Sequence, residues 1–207
     1  VWKNRYFCVM IKTDQADRLG SVCSLRGTQQ QQRNNADSGP GERPDLPSLP
    51  RVGNGYDVHA FAVGLPFILG GIKLDHTKGC IAHSDGDCLI HALCDAMLGA
   101  LALGDIGFHF PDTSEEFRGI DSKILLERTY AMVRKARYRL GNADCTVCLQ
   151  APRIAKYIPR MKEVLAGILD VAPECISIKA TTTEHLGFVG REEGIAVYAT
   201  VLLWPEV

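Results

Sequence analysis

The sequence predicts one α/β domain of the α+β type, in which a mixed β-sheet is covered on one face by three helices. The apolar segments after residue 50 alternate between strand-like and helix-like periods in the order β-β-α-α-β-α-β-β. This order favours helices packed against a sheet with both parallel and antiparallel pairs. The chain has 207 residues, 46% hydrophobic and 23% charged, and is therefore long enough for one sizeable core.

The first 50 residues differ in composition from the rest of the chain. Four glutamines occupy positions 29–32, and residues 34–50 are rich in Asn, Gly, Pro and charged side chains. Such segments contain too little apolar surface to join a core. We therefore expect a disordered leader or linker at 1–50 and the folded domain at 51–207. Basic residues near the start are mixed with Asp14 and Asp17, a poor match to an acid-poor transit peptide.

The first half of the domain contains two predicted strands and one strongly apolar helix. The first strand carries Asp57-Val58-His59, and the second covers residues 66–74. The helix is predicted to begin near Asp85 because Ser84 and Asp87 have the spacing of a capping box, and apolar residues then recur with the helical period. It is predicted to end at Gly104, since glycine is common just after a helix.

The second half is predicted to contain the other two helices and two further strands. A loop with two aspartates, 105–113, precedes them. The elements are, in order, a helix at 121–137, a turn at 141–142, a strand at 143–150, a helix ending near Leu169, a strand starting at 175, a glycine-containing turn at 187–191 and a strand at 195–204.

Polar side chains are concentrated where the first helix begins. Ser84 and Asp87 have the spacing of a capping box, and such a helix start leaves free N–H groups that attract anions. Asp87, His91 and Asp95 recur at steps of four and therefore share one helix face. Asp87 and Asp95 are expected to be mainly structural. Binding of a metal ion or a phosphate would explain the crowding of four polar residues: His83, Ser84, Asp85 and His91.

Three of the residues form a candidate metal site. Asp57 and His59 point to the same side of a strand, and His91 on the helix would complete a His/His/Asp set. Imidazole and carboxylate ligands suit zinc, and three protein ligands leave a fourth position open to substrate. The same set occurs in iron(II) oxygenases, so the ligands alone leave zinc and iron open. Iron(II) oxygenases are expected to carry these ligands on strands. The helical position of His91 therefore favours zinc.

Several function classes lack their sequence features. The net charge is −1, and no basic run with interleaved aromatic residues points to nucleic acid. No apolar stretch approaches the roughly 20 residues that cross a bilayer. Neither the phosphate-binding loop of ATPases nor the GxGxxG pattern of dinucleotide enzymes occurs. We therefore expect a protein that binds neither nucleic acid nor membranes.

The eight cysteines are interpreted as reduced thiols. Six lie in apolar segments of the domain, where a buried thiol is the usual state, and Cys8 and Cys23 lie in the first 50 residues. Cys145 and Cys148 have CxxC spacing, but in a strand an odd separation places them on opposite faces. A shared metal ion is therefore not expected, and the set fits a reducing compartment.

Together, these motifs resemble the 2-C-methyl-D-erythritol 2,4-cyclodiphosphate synthase family. The similarity is nearly continuous from Arg51 to about Leu203, in the order and spacing of the family. It is carried by the segments 55–59, 82–87 with His91, 104–107, 110–113, 150–152, 179–184 and 186–188.

The resemblance implies an enzyme of the non-mevalonate isoprenoid pathway. Its members convert 4-diphosphocytidyl-2-C-methyl-D-erythritol 2-phosphate into the 2,4-cyclodiphosphate and release CMP, a phosphorus–oxygen lyase reaction. The resemblance also implies a homotrimer with active sites between neighbouring subunits. By the same comparison Asp57, His59 and His91 match the ligands of Zn²⁺ or another divalent metal, and His83 and Ser84 match residues that hold the phosphates, with His83 a candidate catalytic residue.

Further residues match by position. Thr182 matches a catalytic residue that stabilises the transition state, and Glu184 matches the ligand of a second ion, Mg²⁺ or Mn²⁺, on the substrate diphosphate. Phe188 and Arg191 match residues near the trimer axis, where members can hold an isoprenoid diphosphate. The other implied substrate contacts are Asp57, His59, Asp105, Ile106, Gly107 and Asp112 around the methylerythritol, and Ala151, Pro152, Ala155, Ala180 and Thr181 in the neighbouring subunit's cytidine pocket.

Two other functions stay open at this point. One is a non-haem iron(II) oxygenase, and the other is a non-catalytic trimer that binds isoprenoid phosphates. The predicted location is the cytoplasm if the chain is bacterial, with the plastid stroma as the alternative.

Overall fold

The computed structural model of the protein describes residues 49–206. The predicted leader therefore lies outside the described residues up to position 48, as do Cys8 and Cys23. The described helices and strands are β1 (Arg51–Val63), β2 (Phe67–Leu69), β3 (Ile72–Leu74), β4 (Lys78–Cys80), α1 (Cys88–Ala100), α2 (Ile106–His109), α3 (Ser122–Lys135), β5 (Tyr138–Cys148), α4 (Ile158–Ile168), β6 (Ile176–Thr181), α5 (Gly187–Gly190) and β7 (Gly194–Pro205).

Five strands form one sheet in the order β4-β1-β7-β5-β6, and the β2–β3 hairpin forms a second. The five-stranded sheet is mixed, as the sequence predicts. The β5–β6 pair is parallel and the other three pairs are antiparallel. Helices α1, α3 and α4 pack against the sheet, where the inward side chains of β5 and β7 are buried. The outward side chains include Tyr56, Val58 and Tyr198, which are 45%, 44% and 48% exposed. One face of the sheet thus carries the core, and the other presents apolar side chains.

Two glycines of β1 allow α1 to lie directly on the strand. A Cβ atom at Gly53 would lie 1.8 Å from the carbonyl oxygen of Ala96, and one at Gly55 would lie 2.0 Å from that of Ala92. The order of these contacts shows that α1 runs antiparallel to β1. The strand residues that follow Gly55 therefore lie beside the N-terminal turns of α1, where His91 is located.

Helix α1 begins three residues later than predicted. Its N-cap is Asp87, whose side chain accepts a hydrogen bond from the Ile90 N–H at 3.0 Å. Gly86 has a φ of +76°, a left-handed conformation outside the helical range, so the helix cannot start at Asp85. Ser84 instead accepts a hydrogen bond from the Gly86 N–H, so the predicted capping box does not form. Asp87 also leaves the helix face that it was predicted to share with His91.

The helix also ends before Gly104. Ala102 has a φ of +55°, and the Leu103 N–H donates to the Leu98 carbonyl in the pattern of a Schellman motif. An alanine therefore occupies the left-handed position that the sequence assigned to Gly104.

Two strand boundaries were also wrong. The single strand predicted at 66–74 is the β2–β3 hairpin, because Gly70 and Gly71 both have positive φ and turn the chain. The predicted turn at 141–142 is a bulge within β5, which begins at Tyr138. The predicted loops at 105–113 and 187–191 contain the short helices α2 and α5. No helix of residues 49–206 is both long and apolar enough to span a membrane.

Asp87 connects the β2–β3 turn to the start of α1. It is fully buried, and its carboxyl oxygens also accept hydrogen bonds from the Gly70 and Gly71 N–H groups at 2.9 and 2.6 Å. We expect Asp87→Asn to lower the free energy of unfolding by about 3 kcal/mol, because the new amide group would face a buried N–H donor. Urea unfolding of the parent and variant chains measures this difference.

Asp95→Asn is the matched control on the same helix. Asp95 accepts one hydrogen bond, from the Ile106 N–H at 2.7 Å, and asparagine retains an oxygen for it. An equal loss of stability in both variants would contradict the structural role assigned to Asp87.

Candidate metal centre and cleft

Asp57, His59 and His91 come together as the sequence predicts. Each offers one potential ligand atom, and the three atoms lie within 4.8 Å of one another. Asp57 and His59 project from the same side of β1, while His91 approaches from α1. Asp57 Oδ2 is 3.2 Å from His91 Nδ1 and 3.6 Å from His59 Nδ1. Among residues 49–206, this is the only group of three or more His, Cys, Asp or Glu side chains placed closely enough to share a metal ion.

The chemistry of these donors fits a metal ion. His59 Nδ1 lies 2.7 Å from the Val58 carbonyl oxygen, which can only accept, so this nitrogen carries the proton. The other nitrogen, Nε2, is then a lone-pair donor that is buried without a hydrogen-bond partner. An unsatisfied buried acceptor is costly, and coordination of a cation would remove that cost.

The electrostatics of the group also suit a cation. Burial raises the pKa of Asp57, but the hydrogen bond from His91 and the charges of both histidines outweigh it and hold the pKa below its usual value. Burial lowers the pKa of His91, whereas the bond to Asp57 and the charges of Asp57, Asp87 and Asp85 raise it above the usual value. Asp57 and His91 thus each favour the charged form of the other, and Asp85 and Asp87 add negative charge around His91.

The group lies in a cleft with a volume of about 370 Å³. Of the predicted site residues outside the metal group, the cleft is lined by His83, Ser84, Ile106, Gly107 and Asp112. Its apolar wall is formed by Phe110, Phe117, Ile120 and Leu125. The cleft therefore combines a cation site with polar and apolar surfaces, and all of its lining comes from residues 57–125.

Asp105 and Asp95 shape the cleft from outside its lining. The Asp105 side chain accepts a hydrogen bond from the Phe108 N–H and caps α2, while Asp95 accepts one from the first N–H of α2. Two carboxylates thereby fix the short helix that carries Ile106 and Gly107. The structure agrees with the structural role predicted for Asp95.

The other predicted residues form a second cluster, where the parallel strands β5 and β6 end. Cys148 pairs with Thr181, and the following Leu149 N–H donates to the Thr181 carbonyl. The Thr182 hydroxyl donates to Glu184 Oε1 at 3.0 Å. The loop with Ala151, Pro152 and Ala155 therefore begins beside the end of β6, and Gln150 Oε1 accepts a hydrogen bond from the His185 N–H at 3.4 Å. Ala180, Thr181 and Thr182 are exposed. None of these residues lines the cleft.

Phe188 and Arg191 lie on and directly after α5. Phe188 is 38% exposed. The Arg191 guanidinium donates two hydrogen bonds of 2.9 Å to the carboxylate of Glu193, so an anion at this surface would compete with that pair.

The sequence reasoning missed two side chains that contact the metal group. The buried Ser122 hydroxyl lies 2.9 Å from His91 Nε2. The Cys88 thiol hydrogen-bonds to Asp57, and burial raises its pKa well above the usual value. Cys88 does not belong to the group of three potential metal ligands. The position of Cys88 in the first turn of α1, three residues before His91, could have identified it from the sequence as a neighbour of the site. Nothing in the sequence connects Ser122, 31 residues away, with His91.

Comparison with known proteins identifies relatives of the described domain. The YgbB family matches residues 50–204 of the chain. The 2-C-methyl-D-erythritol 2,4-cyclodiphosphate synthase of Cellvibrio japonicus is 58% identical over 153 residues, which are 74% of this chain and 96% of that protein. The synthase of Azotobacter vinelandii is 57% identical over the same length, with 98% of that protein covered.

Solved structures show the same fold. The bifunctional IspDF of Campylobacter jejuni matches 76% of this chain with 44% identity and a TM-score of 0.73, and the match spans 42% of that longer chain. The Plasmodium falciparum IspF, solved as a CDP complex, is 32% identical with a TM-score of 0.69 and covers 77% of this chain and 99% of its own. The chain therefore belongs to the YgbB family, the family of these 2-C-methyl-D-erythritol 2,4-cyclodiphosphate synthases.

Proposed function

We propose that this protein is a phosphorus–oxygen lyase that cyclises 4-diphosphocytidyl-2-C-methyl-D-erythritol 2-phosphate and releases CMP. The observation that carries the proposal is the Asp57, His59 and His91 group in a cleft beside His83 and Ser84, within a chain of this family. Attack by the substrate's 2-phosphate oxygen forms a bond to the diphosphate phosphorus farther from cytidine. The bond from that phosphorus to the bridging oxygen breaks, and its electron pair leaves on CMP.

The residues of the cleft position the substrate rather than supply a nucleophile. The 2-phosphate is already anionic, so no side chain needs to act as a strong base. A divalent ion held by Asp57, His59 and His91, which we propose to be Zn²⁺, would polarise a diphosphate oxygen and screen the negative charge. His83 and Ser84 would bind the phosphates, and holding the two reacting groups together accounts for much of the rate increase.

The methylerythritol would occupy the part of the cleft next to α2. Ile106 and Gly107 offer backbone and apolar contacts there, and Asp112 offers a carboxylate to a sugar hydroxyl. Asp57 and His59 border the same space. Asp105 would act by fixing α2, as its capping hydrogen bond indicates.

The second cluster, which we call the nucleotide cluster, would bind the cytidine end of the substrate. Backbone groups of Ala151, Pro152, Ala155, Ala180 and Thr181 would contact cytidine, and Thr182 would stabilise the transition state. The Thr182–Glu184 hydrogen bond supports this assignment, because it holds the hydroxyl beside the carboxylate that would bind Mg²⁺ or Mn²⁺ on the diphosphate. The CDP complex of the Plasmodium falciparum relative supports a nucleotide ligand.

We infer a homotrimer from the separation of the two clusters. The cleft is lined only by residues 57–125, so the nucleotide cluster of a neighbouring subunit would complete it. The exposed outer face of the sheet, with Tyr56, Val58 and Tyr198, offers an apolar surface for such an assembly. Around the axis of the trimer, Phe188 and Arg191 would offer an apolar and a cationic contact to an isoprenoid diphosphate.

The two alternative functions have less support. An iron(II) oxygenase would share the ligand set, but the family match and the relatives named as synthases fit the lyase. A non-catalytic isoprenoid-phosphate trimer would not need the metal group or the cleft around it. The compartment, bacterial cytoplasm or plastid stroma, stays a prediction.

Phosphorus NMR of a reaction mixture tests the proposed function. We expect the purified chain with Zn²⁺ and Mg²⁺ to convert the substrate into one cyclic diphosphate and one CMP. Chelator-treated protein should be inactive until metal is restored. Unchanged substrate signals after metal restoration would overturn the proposal. The same assay on residues 49–207 tests the domain boundary, since we expect truncation to leave the rate within about twofold because the first 48 residues lack the composition of a core segment.

A further inference from the structure

A short series of hydrogen bonds runs from Asp85 through Ser122 to His91. The Ser122 Oγ is 2.5 Å from Asp85 Oδ1 and 2.9 Å from His91 Nε2. The Ser122 backbone N–H also donates to Asp85 Oδ2, at 3.1 Å. Ser122 is fully buried, so water does not compete for its hydroxyl group.

The direction of each bond follows from which atoms can donate. Ser84 Oγ is a second oxygen near the ring, 3.2 Å from His91 Nε2, and as a hydroxyl oxygen it can accept the same proton. A carboxylate oxygen only accepts, so the single Ser122 hydroxyl proton lies between Oγ and Asp85 Oδ1. The Ser122 oxygen is then left as an acceptor toward His91, and Nε2 must carry a proton to donate to it. The reverse arrangement would place two oxygen lone pairs 2.5 Å apart.

The consequence concerns the other nitrogen of the same ring. When Nε2 keeps its proton, Nδ1 is the nitrogen that can lose one and offer a lone pair. Nδ1 is also the nitrogen on the side of Asp57, at 3.2 Å from its carboxylate. A histidine ligand is oriented and made more basic in this way by the group that accepts its second N–H.

We propose that Asp85 and Ser122 are positioning residues that fix the tautomer of His91 and so present Nδ1 to the metal ion. The inference rests on the metal site of the proposed function. It adds to that site Asp85, from the loop before α1, and Ser122, from the start of α3. Neither side chain lines the cleft, so both would act through His91.

Asp85→Asn is the sharpest test because it preserves shape and reverses polarity. The asparagine amide can donate to Ser122 Oγ, which then gives its proton to His91 Nε2 and leaves the proton of the ring on Nδ1. Ser122→Ala removes the intermediate acceptor, and Ser122→Thr keeps a hydroxyl for rescue. Asp121→Asn is the matched control, because Asp121 caps the same end of α3 and contacts Lys123 instead of His91.

Zinc affinity, measured by competition with a chromophoric chelator, should fall about 10- to 100-fold in Asp85→Asn and Ser122→Ala. Ser122→Thr and Asp121→Asn should stay near the parent value. Nitrogen-15 NMR of the zinc-loaded parent should show a proton on His91 Nε2 and a metal-bound Nδ1 without one.

Two different failures are distinguishable. A parent chain that binds no zinc through His91 would refute the metal site itself. Normal parent binding together with unchanged affinity in Asp85→Asn would overturn the positioning role, as would a His91 Nε2 without a proton in the zinc-loaded parent. An equal loss in Asp121→Asn would also overturn it, since the effect would then come from the start of α3. If Ser122→Ala does not fold, the zinc affinities of Asp85→Asn and Ser122→Thr still test the positioning role.

Discussion

His91→Ala is expected to remove the bound metal and the turnover together, while the subunits still assemble. Two remaining ligands hold zinc poorly, and the same loss is expected for Asp57→Ala. Because a bound cation contributes several kcal/mol to stabilising a charged transition state, turnover should fall at least about a thousandfold. Elemental analysis measures the metal content, phosphorus NMR the turnover, and native mass spectrometry the assembly.

His109→Ala is the matched control for loss of an imidazole. His109 lies outside the cleft lining, with Nε2 2.9 Å from the Leu103 carbonyl oxygen. It should retain full metal content and turnover. Full zinc occupancy in His91→Ala or Asp57→Ala would show that the ligands are assigned wrongly. Loss of assembly in both variants would instead indicate a structural role for these side chains.

The fold was predictable where the apolar period was strong. The mixed sheet follows from the alternating apolar segments, and helices α1, α3 and α4 follow from longer runs with the helical period. The boundaries of α3 differ from the prediction by one or two residues. The errors occur where one or two residues decide the chain direction. Gly70 and Gly71 turn β2 into β3, and Gly86 delays α1, although each had been included in a longer regular segment.

The metal group was predictable because two of its members are two residues apart in a strand. His91 could be added because its helix follows soon in the chain and is crowded with polar side chains. The docking of α1 on Gly53 and Gly55 decides that the group forms, and only the structure shows it. Ser122 was missed because its contact with His91 depends on how α3 packs against α1.

A mixture of two inactive variants is expected to regain activity. His91→Ala chains lack the metal group but retain the nucleotide cluster, whereas Thr182→Ala chains have the opposite defect. If one subunit supplies the cleft and its neighbour supplies Thr182, each interface joins two different surfaces, as a head-to-tail ring requires. Each pure trimer is then defective at all its sites.

Random assembly sets the size of the recovery. After co-refolding in equal amounts, a site is intact when a Thr182→Ala subunit supplies the cleft and a His91→Ala subunit supplies the nucleotide cluster. Each choice has a probability of one half, so roughly a quarter of the interfaces should be intact in a head-to-tail ring. The mixture should therefore show roughly a quarter of the parent activity.

A mixture of His91→Ala and Asp57→Ala chains is the matched control. Both defects lie on the metal side, so no arrangement of these subunits creates an intact site, and no activity should return. Native mass spectrometry establishes that mixed trimers are present in both samples. If the first mixture contains them and stays as inactive as its parents, Thr182 acts on the cleft of its own subunit. The proposal of a site shared between subunits would then be wrong. The assignment of the metal ligands would still be supported by the results for His91→Ala and Asp57→Ala alone.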